Sequence, residues 1–238
     1  MYKEMSEQRG KLIVVEGTDA SGKGTQTQRL YERLCAEKVR CEMLSFPRYE
    51  TPTGNIVKRY LGKEPYEQEF GPANEVPPKI ASVFYAIDRF FAAPLIRRNV
   101  QDGIHVLANR YVESNMGHQG GKIRDAAERA AFMFWLEELE YGTFQLPRPD
   151  VVLFLYMPHE VACELRAGRG GAADGHEASI EHLRNAEQAY LELAEQYRWT
   201  RVDCAPDKTL RSLRTIENIA EEVSMHVLHM LDRNERNP

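Results

Sequence analysis

The stretch Gly17–Thr25, GTDASGKGT, lies between the apolar run Leu12–Glu16 (LIVVE) and the amphipathic segment Lys23–Glu37, and its reading decides the fold. Gly-x4-Gly-Lys that follows a strand and opens a helix is the pattern of a phosphate-binding loop. Glycines at the turn let backbone N–H groups approach phosphate oxygens with no Cβ in the way. The helix N-terminus adds partial positive charge, and Lys23 is placed to reach the β and γ phosphates. Gly17, Thr18, Ala20, Ser21, Gly22, Lys23, Gly24 and Thr25 are therefore the expected contacts of a bound nucleoside triphosphate. The position after the lysine, where many such loops carry a metal-binding hydroxyl, is Gly24. The hydroxyl offered to Mg²⁺ then falls to Thr25, with Asp19 and Glu16 as carboxylate candidates.

Working outward, short β-rich runs alternate with helical patterns, as in a parallel sheet with crossover helices. The expected strands are Leu12–Glu16, Cys41–Phe46, Ile104–Ala108, Val151–Tyr156 and Trp199–Asp203. The first and fourth are nearly unbroken apolar runs, which implies cover on both faces. Expected helices are Lys23–Glu37, Pro78–Gly103 (bent at Pro94), Asp125–Tyr141 and a stripe from Leu213 to Met230. The segment Arg166–Ser179, RAGRGGAADGHEAS, is rich in glycine and alanine and reads as a mobile loop inserted between two helical segments.

Composition narrows the class. The chain has 238 residues, 42% hydrophobic and 28% charged, which suits one α/β domain with small insertions. A formal net charge of -5 gives no sign of a nucleic-acid-binding body. The cysteines at 35, 41, 163 and 204 form neither a CxxC pair nor a metal spacing, so they are expected as reduced thiols. The polar start and the lack of any long apolar run argue against a signal peptide or membrane partner, and the cytoplasm is the expected compartment.

Two further resemblances come from motifs. Lys23–Gln28, KGTQTQ, is similar to the loop of adenylate kinases, and the guanine-reading NKxD motif is absent, which points to a small-molecule kinase using ATP. From about Lys11 to Asp203 the chain resembles the thymidylate kinases. The resemblance rests on the loop with its Asp19, on FPRY (Phe46–Tyr49), on FYAIDR (Phe84–Arg89), on NRYVESN (Asn109–Asn115) and on LPRPD (Leu146–Asp150). It implies a three-layer α/β/α P-loop kinase with a five-stranded parallel sheet and a short helical lid. One domain over 1–238 would carry that lid at about 163–179.

The resemblance also implies roles. Asp19 would lie near the acceptor's 3′-hydroxyl and the metal, Arg48 and Arg110 near the acceptor phosphate, and Arg89 near the base or phosphate. Tyr85 would stack on the base, Asn115 would approach it, and His118 would stand beside the sugar's 2′ position. These residues make chemical sense together, because a monophosphate dianion needs converging cations, and an arginine fork binds phosphate bidentately. The loop carries Ala20 where some relatives have an arginine, so Arg166 or Arg169 of the lid would supply it. The implied reaction moves the γ-phosphoryl group of ATP to thymidylate, with Mg²⁺, as part of pyrimidine deoxynucleotide synthesis. Asn109 replaces the aspartate of the family's DRY motif. Together with Gly24 it leaves two other readings open, a kinase for another deoxynucleoside monophosphate or a catalytically impaired nucleotide-binding regulator. Family members often pair through helices beside the acceptor site. A homodimer through Asp125–Tyr141 and Pro78–Gly103 is one reading of those apolar stripes, and core packing is the other.

Overall fold

The computed structural model describes residues 9–167 and 180–235. Its sheet has five parallel strands in the order β2-β3-β1-β4-β5. These are β1 (Leu12–Gly17), β2 (Cys41–Ser45), β3 (His105–Asn109), β4 (Val151–Tyr156) and β5 (Thr200–Asp203). Every expected strand is present to within a residue or two at its ends. Alternate residues of β1 feed two separate cores. Leu12 and Val14 join Val106, Ala108, Ile96 and Phe132 on one face. Ile13 and Val15 join Leu30, Leu107, Leu153 and Val223 on the other. A strand covered on both faces has no polar side to display, which is why its sequence reads as an unbroken apolar run.

The helices are α1 (Lys23–Ala36), α2 (Pro52–Leu61), α3 (Pro78–Gln101), α4 (Val112–Gly120), α5 (Ala126–Glu137), α6 (His159–Ala167), α7 (Ile180–Gln196) and α8 (Ile216–Glu235). The expected helices correspond to α1, α3, α5 and α8, and α3 continues through Pro94. The segment expected to be helical as far as Tyr141 changes to a π-turn at Glu138–Thr143. The helical segments expected on either side of the inserted loop are α6 and α7, whereas α2 and α4 were not indicated. Local signals for α2 were nonetheless present: Thr51 caps it by accepting from the Gly54 N–H at 3.1 Å, Pro52 occupies its first turn, and Gly62 ends it at φ 65. Most of the inserted loop lies outside the described residues.

Because β3 and β4 flank β1 on opposite sides, the chain reverses its winding direction at the central strand. Ligands of open parallel sheets bind in the crevice outside the strand ends at such a point. The turns after β1 and β3 both lie there.

Candidate active site

The loop after β1 is held from below. The Thr18 hydroxyl donates to the Met157 carbonyl at 2.6 Å and accepts from the Met157 N–H at 2.8 Å, tying the loop to the end of β4. Ala20 and Gly22 take positive φ, 58 and 77. Gly17 faces another constraint, because a Cβ there would lie 2.4 Å from the Leu155 carbonyl oxygen. The Lys23 ammonium is buried and donates to the carbonyls of Gly17 and Thr18 at 3.0 and 2.8 Å. The loop is thus closed around its lysine, with α1 starting at that residue.

A cavity of about 340 Å³ opens beside the loop. Among the residues lining it are Asp19, Tyr85, Arg89, Asn109, Arg110, Asn115 and His118, which the sequence placed in one site from three separate stretches of chain. Arg48 is not among them. Its backbone N–H and Nε donate to Asp88 at 2.7 and 3.1 Å, and its Nη2 donates to the Asp88 carbonyl at 2.7 Å. Thr53 adds a hydroxyl to the same carboxylate at 2.8 Å. Arg48 therefore spends its charge in joining the end of β2 to α3.

Arg89 lines the cavity but is 2% exposed and paired with Glu140, which is 0% exposed. Nε and Nη2 reach the two carboxylate oxygens at 2.6 and 2.5 Å, and Nη1 donates to the Tyr111 carbonyl at 3.1 Å. The Asn115 amide also donates to Glu140, at 3.1 Å. Glu140 sits in the π-turn, a backbone feature that recurs at functional sites. The sequence analysis missed it. Its partner is 51 positions away, and no local pattern marks it.

Arg110 is held differently. It sits at φ 67, outside the region that non-glycine residues ordinarily occupy. Its N–H bonds to the Val15 carbonyl at 3.1 Å, while the next N–H, of Tyr111, donates to Glu16 at 2.8 Å. Glu16 is fully buried and also accepts from the Ser114 hydroxyl at 2.8 and 3.0 Å and from the Tyr190 hydroxyl at 3.3 Å. That corrects one expectation: the Glu16 carboxylate is occupied in shaping the turn after β3 and is not available as a metal ligand. The Arg110 guanidinium lies 3.5 Å from Asp19 and 3.2 Å from His118 Nε2. Arginine can only donate, so Nε2 accepts and the histidine proton is on Nδ1.

Among the described residues, buried acceptor oxygens near the cavity are left without a hydrogen-bond partner. One is Asn109 Oδ1, whose own amide nitrogen donates to the Ser45 hydroxyl at 2.9 Å. Another is Oε1 of Gln119, a lining residue one turn beyond Asn115 that the sequence analysis also missed. Buried acceptors of this kind are ordinarily satisfied by water, an ion or a ligand. Of the lid arginines, Arg169 and the side chain of Arg166 lie outside the described residues.

A closed phosphate loop that shares a wall with a cation-bearing, aromatic-lined cavity at the switch point defines a P-loop kinase for a small phosphorylated acceptor. Comparison with known proteins is more specific. The thymidylate kinase family model matches residues 15–213, and the chain belongs to that family. Human thymidylate kinase is 33% identical over 153 residues, a match covering 64% of each chain and so just under two thirds of the human protein. Thymidylate kinase of Mycobacterium tuberculosis is 31% identical over 191 residues, 78% of this chain and 86% of that one. A solved thymidylate kinase structure from Candida albicans superposes with a TM-score of 0.69 over 95% of this chain and 93% of that chain, at 22% identity, which shows the shared fold.

Proposed function

We propose that the protein transfers the γ-phosphoryl group of ATP to thymidylate, giving dTDP and ADP. The observation that carries this reading is the 3.5 Å contact between Asp19 of the phosphate loop and Arg110 of the cavity, because it makes the donor and acceptor sites adjoin. Family membership supplies the nucleoside monophosphate as acceptor class.

In this reading the loop amides and Lys23 hold the donor phosphates, and Arg110 holds the acceptor phosphate. Arg110's weak partners leave its charge available, whereas those of Arg48 and Arg89 are cancelled by Asp88 and Glu140. Arg89 keeps N–H groups that suit a neutral carbonyl on the base, and the open Gln119 acceptor suits a base N–H. Tyr85 provides the stacking face, and His118 crowds the sugar beside Arg110. In-line transfer needs positioning and charge compensation more than a general base, and these side chains provide both.

The residues present fit a magnesium ion. Thr25 is exposed at the start of α1, Asp19 lines the cavity, and Asn109 Oδ1 is an unused buried acceptor able to take a metal-bound water. Gly24 leaves room there, since a Cβ at that position would meet only Asn109 Nδ2, at 3.8 Å. When bound, the ion would neutralise charge on the β and γ phosphates. The segment at about 163–179 would act as the lid, with Arg166 or Arg169 reaching the transferring group.

Among the described residues no helix is long and apolar enough to cross a membrane, in keeping with a cytoplasmic enzyme acting on small nucleotides. Ile80, Phe91 and Phe134 are exposed on α3 and α5, the helices expected to pair a homodimer. Sedimentation should give a dimer mass that Phe134→Glu lowers. The direct test of the reaction is ADP release with ATP, Mg²⁺ and each deoxynucleoside monophosphate, with Lys23→Ala as control. Lys23-dependent turnover fastest on thymidylate is the expected result. Preference for another monophosphate would replace the acceptor, and no turnover on any would sink the reading.

A further inference from the structure

Helix α1 ends in a turn that carries the chain into β2 and sets two cysteines side by side. The Glu37 N–H donates to the Arg33 carbonyl at 3.1 Å, the Lys38 N–H to that of Cys35 at 3.0 Å, and the Val39 N–H to that of Leu34 at 2.9 Å. Lys38 takes the left-handed conformation, at φ 60. Two N–H groups beyond the cap that bond back into the last turn, with a left-handed residue at the bend, make a Schellman motif. Two residues later β2 opens at Cys41, which pairs with His105 of β3. The His105 N–H donates to the Arg40 carbonyl at 2.9 Å. Backbone bonds on both sides therefore fix the connection.

Its product is a pair of thiols. The Sγ atoms of Cys35 and Cys41 lie 4.0 Å apart. Cys35 is exposed and Cys41 half-buried. A disulfide needs an S–S separation of about 2.05 Å, so an approach of about 2 Å is left to side-chain rotation. The two sulfurs have different surroundings. Cys35 is the one that a dissolved oxidant meets first. Burial, with the neighbouring Cys35, pushes the Cys41 thiol up to about 12, which keeps Cys41 protonated and in reserve.

We propose that Cys35 and Cys41 form a redox modification site, which a peroxide converts to an intramolecular disulfide and which free thiols reopen. In the first step the Cys35 sulfur attacks a peroxide oxygen, the O–O bond breaks and water leaves, giving a sulfenic acid. In the second the Cys41 sulfur attacks Cys35, the S–S bond forms, and the hydroxyl departs as water with the Cys41 proton. The peroxide is reduced to water, and two thiols are oxidised to one disulfide. In a reducing compartment such a bond is transient, which suits a sensor better than a structural staple. Cys35 lies twelve positions from Lys23, about 18 Å along α1. The bond thus ties the foot of α1 to β2 without entering the phosphate loop.

The test uses the full chain, reduced and then exposed to hydrogen peroxide. Free thiols titrated after unfolding should fall from four to two. Trypsin cuts after Arg33, Lys38, Arg40 and Arg48, so Leu34–Lys38 and Cys41–Arg48 separate unless sulfur joins them. Without reductant they should appear as one linked species, lighter than the two peptides by two hydrogen atoms, and dithiothreitol should part them. Cys41→Ser keeps the size of the side chain and removes the second sulfur. Dimedone, which traps sulfenic acids, should then label Cys35 far more strongly than in the unaltered protein, where the disulfide forms first. Equal labelling of the two proteins would overturn the proposal. So would recovery of Cys35 as a sulfinic acid, or joined to Cys163 or to a second chain.

Discussion

Arg89 and Arg110 line the same cavity, and the structure treats them in opposite ways. Arg89 is sealed in, clamped in two places by a carboxylate that is itself buried. Arg110 is propped up on a strained backbone, 3.5 Å from its nearest carboxylate, with its side chain 27% exposed. A guanidinium neutralised in advance is a rigid part of the wall, and one left underpaired is a binding group. Breaking a buried pair strands the surviving charge, while removing a loosely paired cation costs the fold little and the ligand much.

The largest expected effect is therefore on stability. Arg89→Met should destabilise the protein by about 3–5 kcal/mol, because Glu140 would be left buried and uncompensated. Arg89→Met with Glu140→Leu should recover most of that loss in chemical denaturation while leaving thymidylate KM raised. If the double variant is no more stable than the single one, Glu140 is not the source of the penalty. Arg110→Ala is the counterpart. It should lower kcat/KM for thymidylate by about 10²–10³-fold, the cost typical of removing one stabilising donor, and shift the unfolding midpoint only slightly. A large loss of stability with modest kinetic change would reverse the assignment of the two arginines.

That contrast was only half legible in the sequence. Arg89 and Arg110 both stood out, because each belongs to a short motif, and the motifs place them at a helix and a strand end. What separates them is Glu140, 51 positions from Arg89 and inside a π-turn whose i→i+5 bonding leaves no periodic trace. The same reason explains Arg48, expected at the acceptor phosphate and found bound to Asp88 forty positions on. The strands were readable because burial on both faces forces an apolar run. Helix α4 was not, because its buried residues include Glu113, Asn115 and Gln119, which give no hydrophobic stripe. Helices α2 and α4 and most of the pairing were hidden, yet the position of the cavity was clear, since the loop after β1 fixes the switch point by itself.

Glu113 sharpens the comparison, as a carboxyl in the same interior whose hydrogen-bond partner is the Tyr141 hydroxyl rather than an arginine. Its pKa is raised from 4.5 to about 8, chiefly by burial. The folded state thus holds a proton that the unfolded chain has released, so stability from this group is greatest below about pH 4.5 and falls as pH rises toward 8. The slope should approach 1.4 kcal/mol per pH unit, or roughly 2–3 kcal/mol between pH 5 and 7. Glu113→Gln keeps the shape without the proton, and its unfolding free energy should be flatter over that window and higher at pH 8. An unchanged slope would mean that the carboxyl already has a compensating partner.

The smallest effect concerns a charge the site lacks. Asn109 stands at the end of β3 opposite Gly24, donating to Ser45 and leaving Oδ1 unsatisfied. An aspartate there would accept from the same serine hydroxyl, so the geometry can survive the exchange, and it would add a negative charge where a metal's water shell is expected. Through intervening water such a charge is worth about 1 kcal/mol, so Asn109→Asp should lower the Mg²⁺ concentration for half-maximal rate about fivefold. Ser45→Ala, by contrast, should leave Mg²⁺ dependence unchanged, since it removes only the partner of the amide nitrogen. If Asn109→Asp leaves Mg²⁺ dependence unchanged, the shell does not extend to β3. Asp19 would then be the carboxylate left to anchor the ion, sharing it with Arg110, and the looseness of that pair at 3.5 Å would belong to the metal as much as to the acceptor phosphate.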